Sequence, residues 1–333
     1  MLESVPCNIC GSDSYRPLFK KKDPISNRYF DVVICSRCGL GYVNPRPLPE
    51  VMKSYYQENY YLNRFARDNK LARGNQGIIF RLYEFYRRKF SRYYPDRVLA
   101  TERKICNFYK KEKGKLLDIG CANGDFLKIM KDDNFEVSGL EFSDHFVNKY
   151  GLEIFKGNLT DADYDNDCFD MVTMWAVLEH VSDPMSYLQE IYRILKPGGV
   201  VIFLVPNLSS VRFGLCHNDD IPRHLYLFSP RTIRKLLKLS DLKLKAIIHN
   251  NSIFYGGIRG CLLQMVLRGL GFDCEKVDDL NKPIVDLLVR KELGPARYFV
   301  ALLSLADVIV SIVLTPLLRL FRYNGVIIVI AEK

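Results

Sequence analysis

The sequence predicts an α/β protein built around one seven-stranded sheet with helices on both faces. From Lys115 onward, short apolar segments that suit strands alternate with segments of helical periodicity, the pattern typical of a parallel sheet. A glycine-containing turn follows the first of these strands, and a carboxylate ends the second. The seven predicted strands are Lys115–Ile119, Glu136–Glu141, Leu152–Lys156, Phe169–Met174, Val200–Val205, Lys243–His249 and Gly325–Ala331.

The chain divides into three regions by pattern. Residues 1–50 contain short strands and turns and end in a segment with three prolines, which excludes a regular helix. Residues 51–112 have helical periodicity, and residues 113–333 form the main domain. Within that domain, residues 251–324 interrupt the alternation with an apolar helical insertion. The predicted helices of the main domain include Phe126–Lys131, Ser182–Leu195 and Ser229–Leu239.

Composition and charge narrow the class of protein. The chain has 333 residues, of which 48% are hydrophobic and 26% charged, so it is neither disordered nor fibrous. Its net charge is +10, and the segment Val51–Lys115 carries 17 basic against 6 acidic side chains. That segment is either a solvated helical face or a surface for the phosphates of nucleic acid or anionic lipid. Since the first ten residues have no secretory pattern, we expect a cytoplasmic protein with reduced cysteines.

Four cysteines form two paired motifs near the N-terminus. Cys7 and Cys10 make the first Cys-x-x-Cys pair, Cys35 and Cys38 make the second, and a glycine follows each pair. Four thiolates at this spacing can close a tetrahedral Zn²⁺ site that has no open position, which is typical of a structural metal. The alternatives are unpaired core cysteines, a redox pair or an iron–sulfur site. The sequence therefore predicts a zinc-binding module within residues 1–50.

The loop after the first strand of the main domain suits a bound ligand. Small residues at Gly120, Ala122 and Gly124 allow backbone to approach a ligand closely, and the following helix presents free amides at its N-terminus. The second strand ends at Glu141, where a carboxylate can accept hydrogen bonds from ribose hydroxyls. The loop departs from the dinucleotide pattern G-x-G-x-x-G, and Asp118 suits an ammonium group better than a diphosphate.

This stretch, Asp118–Gly124, resembles motif I of the class I S-adenosyl-L-methionine (SAM)-dependent methyltransferases. Three further stretches match in the family's order, namely Phe169–Val172, Leu178–Val181 and Leu195–Gly199. The resemblance covers roughly residues 113–250 and the terminal strand, with alanine at position 122 where the family usually has glycine. It implies a Rossmann-like methyltransferase sheet and SAM as the cofactor.

The resemblance also assigns roles to residues of the cofactor site. Asp118 and Gly120 would face the amino-acid part of SAM, with Cys121 and Gly124 in the same loop. Glu141 would hold the ribose. Each glycine could instead serve a plain turn, but four motifs in register favour the cofactor interpretation.

Two later strands would complete the cofactor site. Asn158 or Leu159, just past the third strand, would border the adenine. Trp175, at the end of the fourth strand, would line the pocket of the sulfonium, although packing in the core is an alternative for this side chain.

Histidines supply the candidate bases, because methylation of a hydroxyl or a C–H acid requires removal of a proton. His224 follows the fifth strand, at the edge of the sheet where open α/β proteins bind substrate. In sugar C-methyltransferases, which also carry an N-terminal four-cysteine zinc domain, a histidine in a similar segment is thought to be the base. His224 is therefore the first candidate and His180 the second; a structural or purely substrate-binding histidine is the alternative.

The apolar insertion 251–324 contains a stretch, Tyr298–Leu318, that is long enough to cross a bilayer. A single crossing would place the last predicted strand on the wrong side of the membrane, and Asp307 near its middle would be costly there. We therefore expect a buried helical lid, a helix lying on the inner membrane face, or an oligomer contact.

Together these features predict a SAM-dependent methyltransferase for a small polar acceptor, such as a sugar or a lipid-linked saccharide, methylated on oxygen or carbon. RNA methylation is an alternative that the basic segment favours, although no Asn-Pro-Pro-Tyr-type motif follows the fourth strand. A non-catalytic scaffold that binds SAM is a further alternative.

Overall fold

The computed structural model describes residues 2–23, 25–55, 95–110, 113–144, 146–210, 213, 219–250 and 321–333, with scattered positions between 265 and 320. The N-terminal part contains five short strands and one helical turn. These elements are β1 (Leu2–Glu3), β2 (Tyr15–Lys22), β3 (Tyr29–Cys35), β4 (Gly41–Val43), β5 (Arg46–Pro47) and α1 (Pro49–Met52), which a 3-10 turn (Lys53–Tyr55) follows.

The main domain alternates strands and helices. Its elements are α2 (Pro95–Tyr109), β6 (Lys115–Ile119), α3 (Asp125–Asp132), β7 (Glu136–Glu141), β8 (Ile154–Lys156), β9 (Phe169–Trp175), α4 (Pro184–Ile194), β10 (Leu195–Pro206), β11 (Tyr226–Leu227), α5 (Pro230–Leu239), β12 (Lys243–Asn250) and β13 (Val326–Glu332). A 3-10 turn, Leu159–Asp161, follows β8.

Seven of these strands form one sheet in the order β12-β13-β10-β9-β6-β7-β8. Strand β13 is antiparallel to both of its neighbours, whereas the pairs among β6 to β10 are parallel. The order reverses between β6 and β9, because β7 and β8 lie on one side of β6 and β9 lies on the other. Ligands of open α/β sheets bind beyond the carboxyl ends of the strands at such a reversal.

Helices cover both faces of this sheet, as the sequence predicts. The apolar sides of α2 and α3 pack on one face, where Met130 and Phe126 are buried. The apolar sides of α4 and α5 pack on the other face together with the N-terminal part. Within β6 the side chains alternate between the two cores, since Leu116 faces the first and Leu117 the second.

The ends of some elements differ from the prediction for local reasons. The predicted helix Ser182–Leu195 is shorter, because Asp183 caps it and Pro184 occupies its first turn. It ends at Ile194, and Leu195 already has extended backbone and pairs with Phe169 in the sheet. Strand β10 therefore begins earlier than predicted and passes an irregularity between Leu195 and Val200.

The N-terminal part has its own four-stranded sheet, and one of its strands comes from the main domain. The order is β11-β4-β3-β2, with every pair antiparallel. Tyr226 pairs with Tyr42, and Leu227 pairs with Gly41. The sheet thus extends beyond residues 1–50 into the segment that carries His224.

Most of two predicted regions lies outside the described residues. The first is the basic segment 51–112, of which only positions 51–55 and 95–110 are described. The second is the insertion 251–324, of which only scattered positions and residues 321–324 are described. Among the residues the structure describes, no helix is both long enough and apolar enough to cross a bilayer.

Candidate active site

The loop after β6 has a backbone that only small residues fit. Gly120 has φ 76°, and a Cβ there would lie 2.5 Å from Cγ2 of Val177. Ala122 and Gly124 also have positive φ, 47° and 80°. This run of left-handed residues turns the chain sharply at the point where the strand order reverses, and α3 begins directly afterwards. The predicted glycine loop therefore lies where a ligand would bind.

Glu141 at the end of β7 is tied to this loop. Its Oε2 accepts a hydrogen bond from the backbone N–H of Ala122 at 2.9 Å, and its Oε1 accepts one from Ser143 N–H at 2.8 Å. Burial raises the pKa of Glu141, although these backbone donors oppose the shift. Each carboxylate oxygen retains capacity for a further hydrogen bond, which a ribose hydroxyl could donate.

Asp118 is a buried carboxylate one strand away. Its Oδ1 accepts a hydrogen bond from the Thr173 hydroxyl at 2.6 Å. Burial is the main cause that raises its pKa to about 7; the charge of Glu141 adds to the shift, and the Thr173 hydrogen bond opposes it. A cation placed beside Asp118 would stabilise its ionised form, so the site fits the ammonium group of an amino acid.

Trp175 ends β9, and its indole makes a T-shaped contact with the ring of Phe126 at a centroid distance of 5.7 Å. Its Nε1 is buried and has no hydrogen-bond partner among the described residues. A buried donor normally has an acceptor, since leaving it unpaired costs free energy. This unpaired donor fits a position beside a polar ligand better than one inside a closed core.

The remaining residues predicted to bind the cofactor differ in what they expose. The Sγ of Cys121 lies in the space left by Gly139, where a Cβ would be 2.7 Å away, so its thiol belongs to the core. Leu159 is also fully buried. Both therefore offer backbone rather than side chain to a ligand. The Asn158 side chain lies near Asp161 and Tyr187 at the surface edge.

A second cluster follows β9 and meets the segment after β10. Donor atoms of Glu179, His180 and His224 lie within 4.8 Å of one another. The two imidazoles meet edge to face with centroids 4.6 Å apart, and His180 Nδ1 lies 3.0 Å from the carbonyl oxygen of Arg223. Such a set can pass a proton or bind a divalent cation. Both histidines are candidates from the sequence alone, whereas Glu179 is not, although it lies within the motif Leu178–Val181.

Carboxylates shift the pKa of His224 upward. Burial lowers this pKa, but the contact with Asp219 and the charges of Glu179 and Asp220 outweigh burial, so the result lies above the ordinary value of 6.5. The Nδ1 atom is 3.5 Å from Asp219 Oδ1. The ring is nearly fully buried, so its charge depends strongly on these neighbours.

The four N-terminal cysteines come together as the spacing predicts. Their sulfur atoms all lie within 4.8 Å of one another, with 3.4 Å between Cys7 and Cys38 and 3.5 Å between Cys10 and Cys35. These distances exceed a disulfide bond of about 2.05 Å. They approach the separation of about 3.8 Å that a tetrahedron with Zn–S bonds of 2.3 Å requires. The donor set therefore fits a structural zinc ion.

Backbone amides favour the thiolate form of Cys35, which is the form that binds a metal. Burial raises the pKa of Cys35, but hydrogen bonds from the backbone of Cys38 and Arg37 outweigh it and lower this pKa to about 7. Gly11 and Gly39 adopt positive φ after the two pairs, and their N–H groups donate to the carbonyls of Cys7 and Cys35. These are the tight turns that bring amides toward sulfur.

One family of known proteins matches the main domain in sequence. Residues 86–247 match a family described as a methyltransferase domain. This part of the chain is therefore similar to the class I SAM-dependent methyltransferases. The seven-stranded sheet with helices on both faces and the glycine loop after β6 agree with what the sequence resemblance implies.

Individual relatives of the methyltransferase domain are distant. A demethylmenaquinone methyltransferase of Lysinibacillus sphaericus is 31% identical over 113 residues, covering 30% of this chain and 48% of that protein. A ubiquinone biosynthesis O-methyltransferase of Pectobacterium atrosepticum is 31% identical over 106 residues, covering 29% and 44%. The chain thus spans about half the length of these curated relatives. A solved SAM-dependent methyltransferase from Archaeoglobus fulgidus is 17% identical, with 75% of this chain and 99% of that chain covered and a TM-score of 0.45.

Proposed function

We propose that the protein transfers a methyl group from SAM to a small polar acceptor, at an oxygen or a carbon. The observation that carries this proposal is the cluster of Glu179, His180 and His224 next to the cofactor loop. Val177, whose side chain fills the space beside Gly120, lies only two residues before Glu179. The cofactor loop and the candidate bases are therefore neighbours at the same edge of the sheet.

The chain's residues have separate tasks in this reaction. SAM supplies an activated methyl group on its sulfonium, so the protein mainly positions the partners and excludes water. Asp118 and Glu141 hold the polar ends of the cofactor. His224 accepts the proton that leaves the acceptor, and the buried carboxylate of Glu179 stabilises the resulting imidazolium.

The names of the relatives support a small-molecule acceptor. The two relatives are named as a demethylmenaquinone methyltransferase and a ubiquinone biosynthesis O-methyltransferase, and both names describe methylation of small molecules. A sugar or a lipid-linked saccharide is the finer proposal, because the four-cysteine module resembles that of sugar C-methyltransferases. RNA as acceptor and a scaffold without activity are the competing proposals.

Substitution of Glu141 tests cofactor binding. Glu141→Ala removes charged acceptors worth about 1.5–3 kcal/mol, so SAM affinity measured by calorimetry should fall roughly 10- to 150-fold. Glu136→Ala is the matched control, because Glu136 begins the same strand but pairs with Lys115 at the surface. Equal SAM affinity for Glu141→Ala and wild type would contradict the assignment. Transfer of tritiated methyl groups to fractionated RNA, lipid and small molecules then separates the acceptor classes.

We also propose that the end of the insertion lies on an anionic membrane surface. Described helical positions Phe299, Leu302, Ile309, Val313 and Leu317 are exposed at spacings of three, four and seven residues, which place them on one face. Asp307 is buried instead. The chain's net charge of +10 favours anionic lipid over a neutral surface.

Vesicle co-sedimentation tests this surface. Wild type should sediment with vesicles that contain phosphatidylglycerol and much less with pure phosphatidylcholine. The double variant Leu302→Glu/Ile309→Glu should remain in the supernatant, because it places two charges on the apolar face. Phe108→Glu, on the exposed side of α2, is the matched control. Sedimentation of the double variant at the wild-type level would refute the membrane surface.

A further inference from the structure

We infer that Asp23 and Arg223 are a positioning pair through which the four-cysteine module holds the candidate base in place. The inference rests on the proposed function, because it gives a role to the module in the same reaction. Arg223 immediately precedes His224, and Asp23 lies at the end of β2 in the N-terminal sheet. The pair therefore joins the module to the acceptor side of the methyltransferase domain.

The pair is a buried ion pair with good geometry. Arg223 Nη1 lies 3.0 Å from Asp23 Oδ1, and the side chains are 3% and 0% exposed. Arg223 Nε also donates to Asp220 Oδ1 at 2.8 Å. The guanidinium is thus clamped between one carboxylate of the module and one of its own loop. Loss of Asp23 would leave the buried guanidinium with the Asp220 carboxylate but without the module's, which is costly at a buried site.

Asp23 is itself fixed by the turn that follows β2. Its Oδ2 accepts a hydrogen bond from Ser26 N–H at 2.7 Å, and its backbone pairs with Asn27 and Arg28. The carboxylate therefore has little freedom to follow a moving arginine. It acts as a fixed point of the N-terminal sheet.

Arg223 connects the fixed carboxylate of Asp23 to both histidines. Its carbonyl oxygen lies 3.0 Å from His180 Nδ1, so the Nδ1–H tautomer of His180 can donate to it. His224 N–H donates to the carbonyl of Asp220 at 2.7 Å, within the turn that the arginine closes. A shift of Arg223 would move the two imidazoles relative to each other.

Further hydrogen bonds also hold the module against the loop that carries His224. Lys21 Nζ donates to the carbonyl of Asp219 at 2.6 Å, and Val43 N–H donates to that of Leu225 at 3.0 Å. Strand β11 then pairs with β4. The module thus contacts the chain before and after His224, whereas the contacts of the cofactor loop are with Leu140, Glu141 and Val177 of the main domain. We expect the module to affect the acceptor step rather than SAM binding.

The test compares Asp23→Asn with Asp31→Asn. Asp31 lies on β3 of the same sheet, where its pair with Lys20 is about half exposed, so its variant controls for loss of an acidic residue. In Asp23→Asn we expect unchanged zinc content, SAM affinity within twofold of wild type, and turnover lowered at least tenfold. Asp23→Glu, which restores the charge, should recover part of the turnover.

Imidazole NMR of protein labelled with ¹⁵N-histidine gives a readout that needs no acceptor. The signals of His180 and His224 should shift in Asp23→Asn, while His249 on β12 serves as internal reference. Unchanged signals from both histidines in folded Asp23→Asn would overturn the inference. If Asp23→Asn does not fold, Arg223→Lys keeps the charge but loses the forked contacts and is judged by the same signals. Shifted signals without any methyl transfer by wild type would uphold the positioning pair and contradict the proposed function instead.

Discussion

At the scale of single residues, the electrostatics of His224 decide when it can act. A base must be neutral, and the contact with Asp219 together with the charge of Glu179 favours the protonated form. The chain therefore places its candidate base among carboxylates that make it a stronger base but leave it protonated up to a higher pH. Such a shift is common where a group transfers protons.

This environment predicts the pH dependence of turnover. In wild type, turnover should rise with pH through a midpoint above 6.5, because the raised pKa keeps the imidazole protonated below it. Asp219→Asn removes the first cause of the upward shift and should move the midpoint to lower pH. His224→Ala should lower turnover about 10²- to 10⁴-fold and abolish the rise of turnover with pH. Steady-state rates across pH provide the measurement.

The control for this series is His249→Ala, on the strand β12 away from the cluster. An unchanged midpoint in Asp219→Asn would show that another group controls the rise of turnover with pH.

The raised pKa of His224 also predicts how the free energy of unfolding depends on pH. Because the folded-state pKa is raised, the stabilisation from protonated His224 is present below about pH 6.5 and disappears as pH rises through the folded pKa.

Candidate site residues are predictable from the sequence where their position depends on their neighbours in the chain. Gly120 and Glu141 were predictable because a strand, a turn and a second strand define their positions locally. Glu179 and Arg223 were missed as functional residues. Their roles depend on contacts across the fold, with His224 and with Asp23, which no local pattern reveals.

At the scale of elements, local signals set most boundaries. Strands β6 and β7 have the predicted ends, and Ser229 caps α5 through a reciprocal contact with Thr232, as its position before the helix predicts. The predicted start of β10 at Val200 was wrong, because the strand begins at Leu195 and continues past a proline and two glycines. Tertiary pairing overrides the local signal there.

The four-cysteine cluster predicts a metal content that can be measured. Elemental analysis should give about one zinc per wild-type chain, and Cys35→Ser should lose it, because three thiolates hold the ion less tightly than four. Cys168→Ser, at a half-buried cysteine outside the cluster, should retain it. Iron instead of zinc would contradict the assignment. A second equivalent that survives Cys35→Ser would indicate an ion at Glu179, His180 and His224.

At the scale of the whole molecule, the strand alternation predicted the α/β class, and the resemblance implied a seven-stranded methyltransferase sheet. The N-terminal sheet was only partly predictable. Its fourth strand, Tyr226–Leu227, has two residues, and its partner Gly41–Tyr42 lies in a distant part of the sequence. A two-residue strand has no periodicity, so pairing of this kind emerges only from the folded chain.

The shared sheet also determines how this architecture can be rearranged. A chimaera that exchanges residues 1–50 between relatives would cut β4 from β11 and separate Asp23 from Arg223. The unit of exchange is therefore two pieces of sequence, the N-terminal segment and residues 219–228, which must be inherited together. A recombination breakpoint in the proline-rich segment after β4 would look permissible from the sequence and would divide one hydrogen-bonded sheet between two parents.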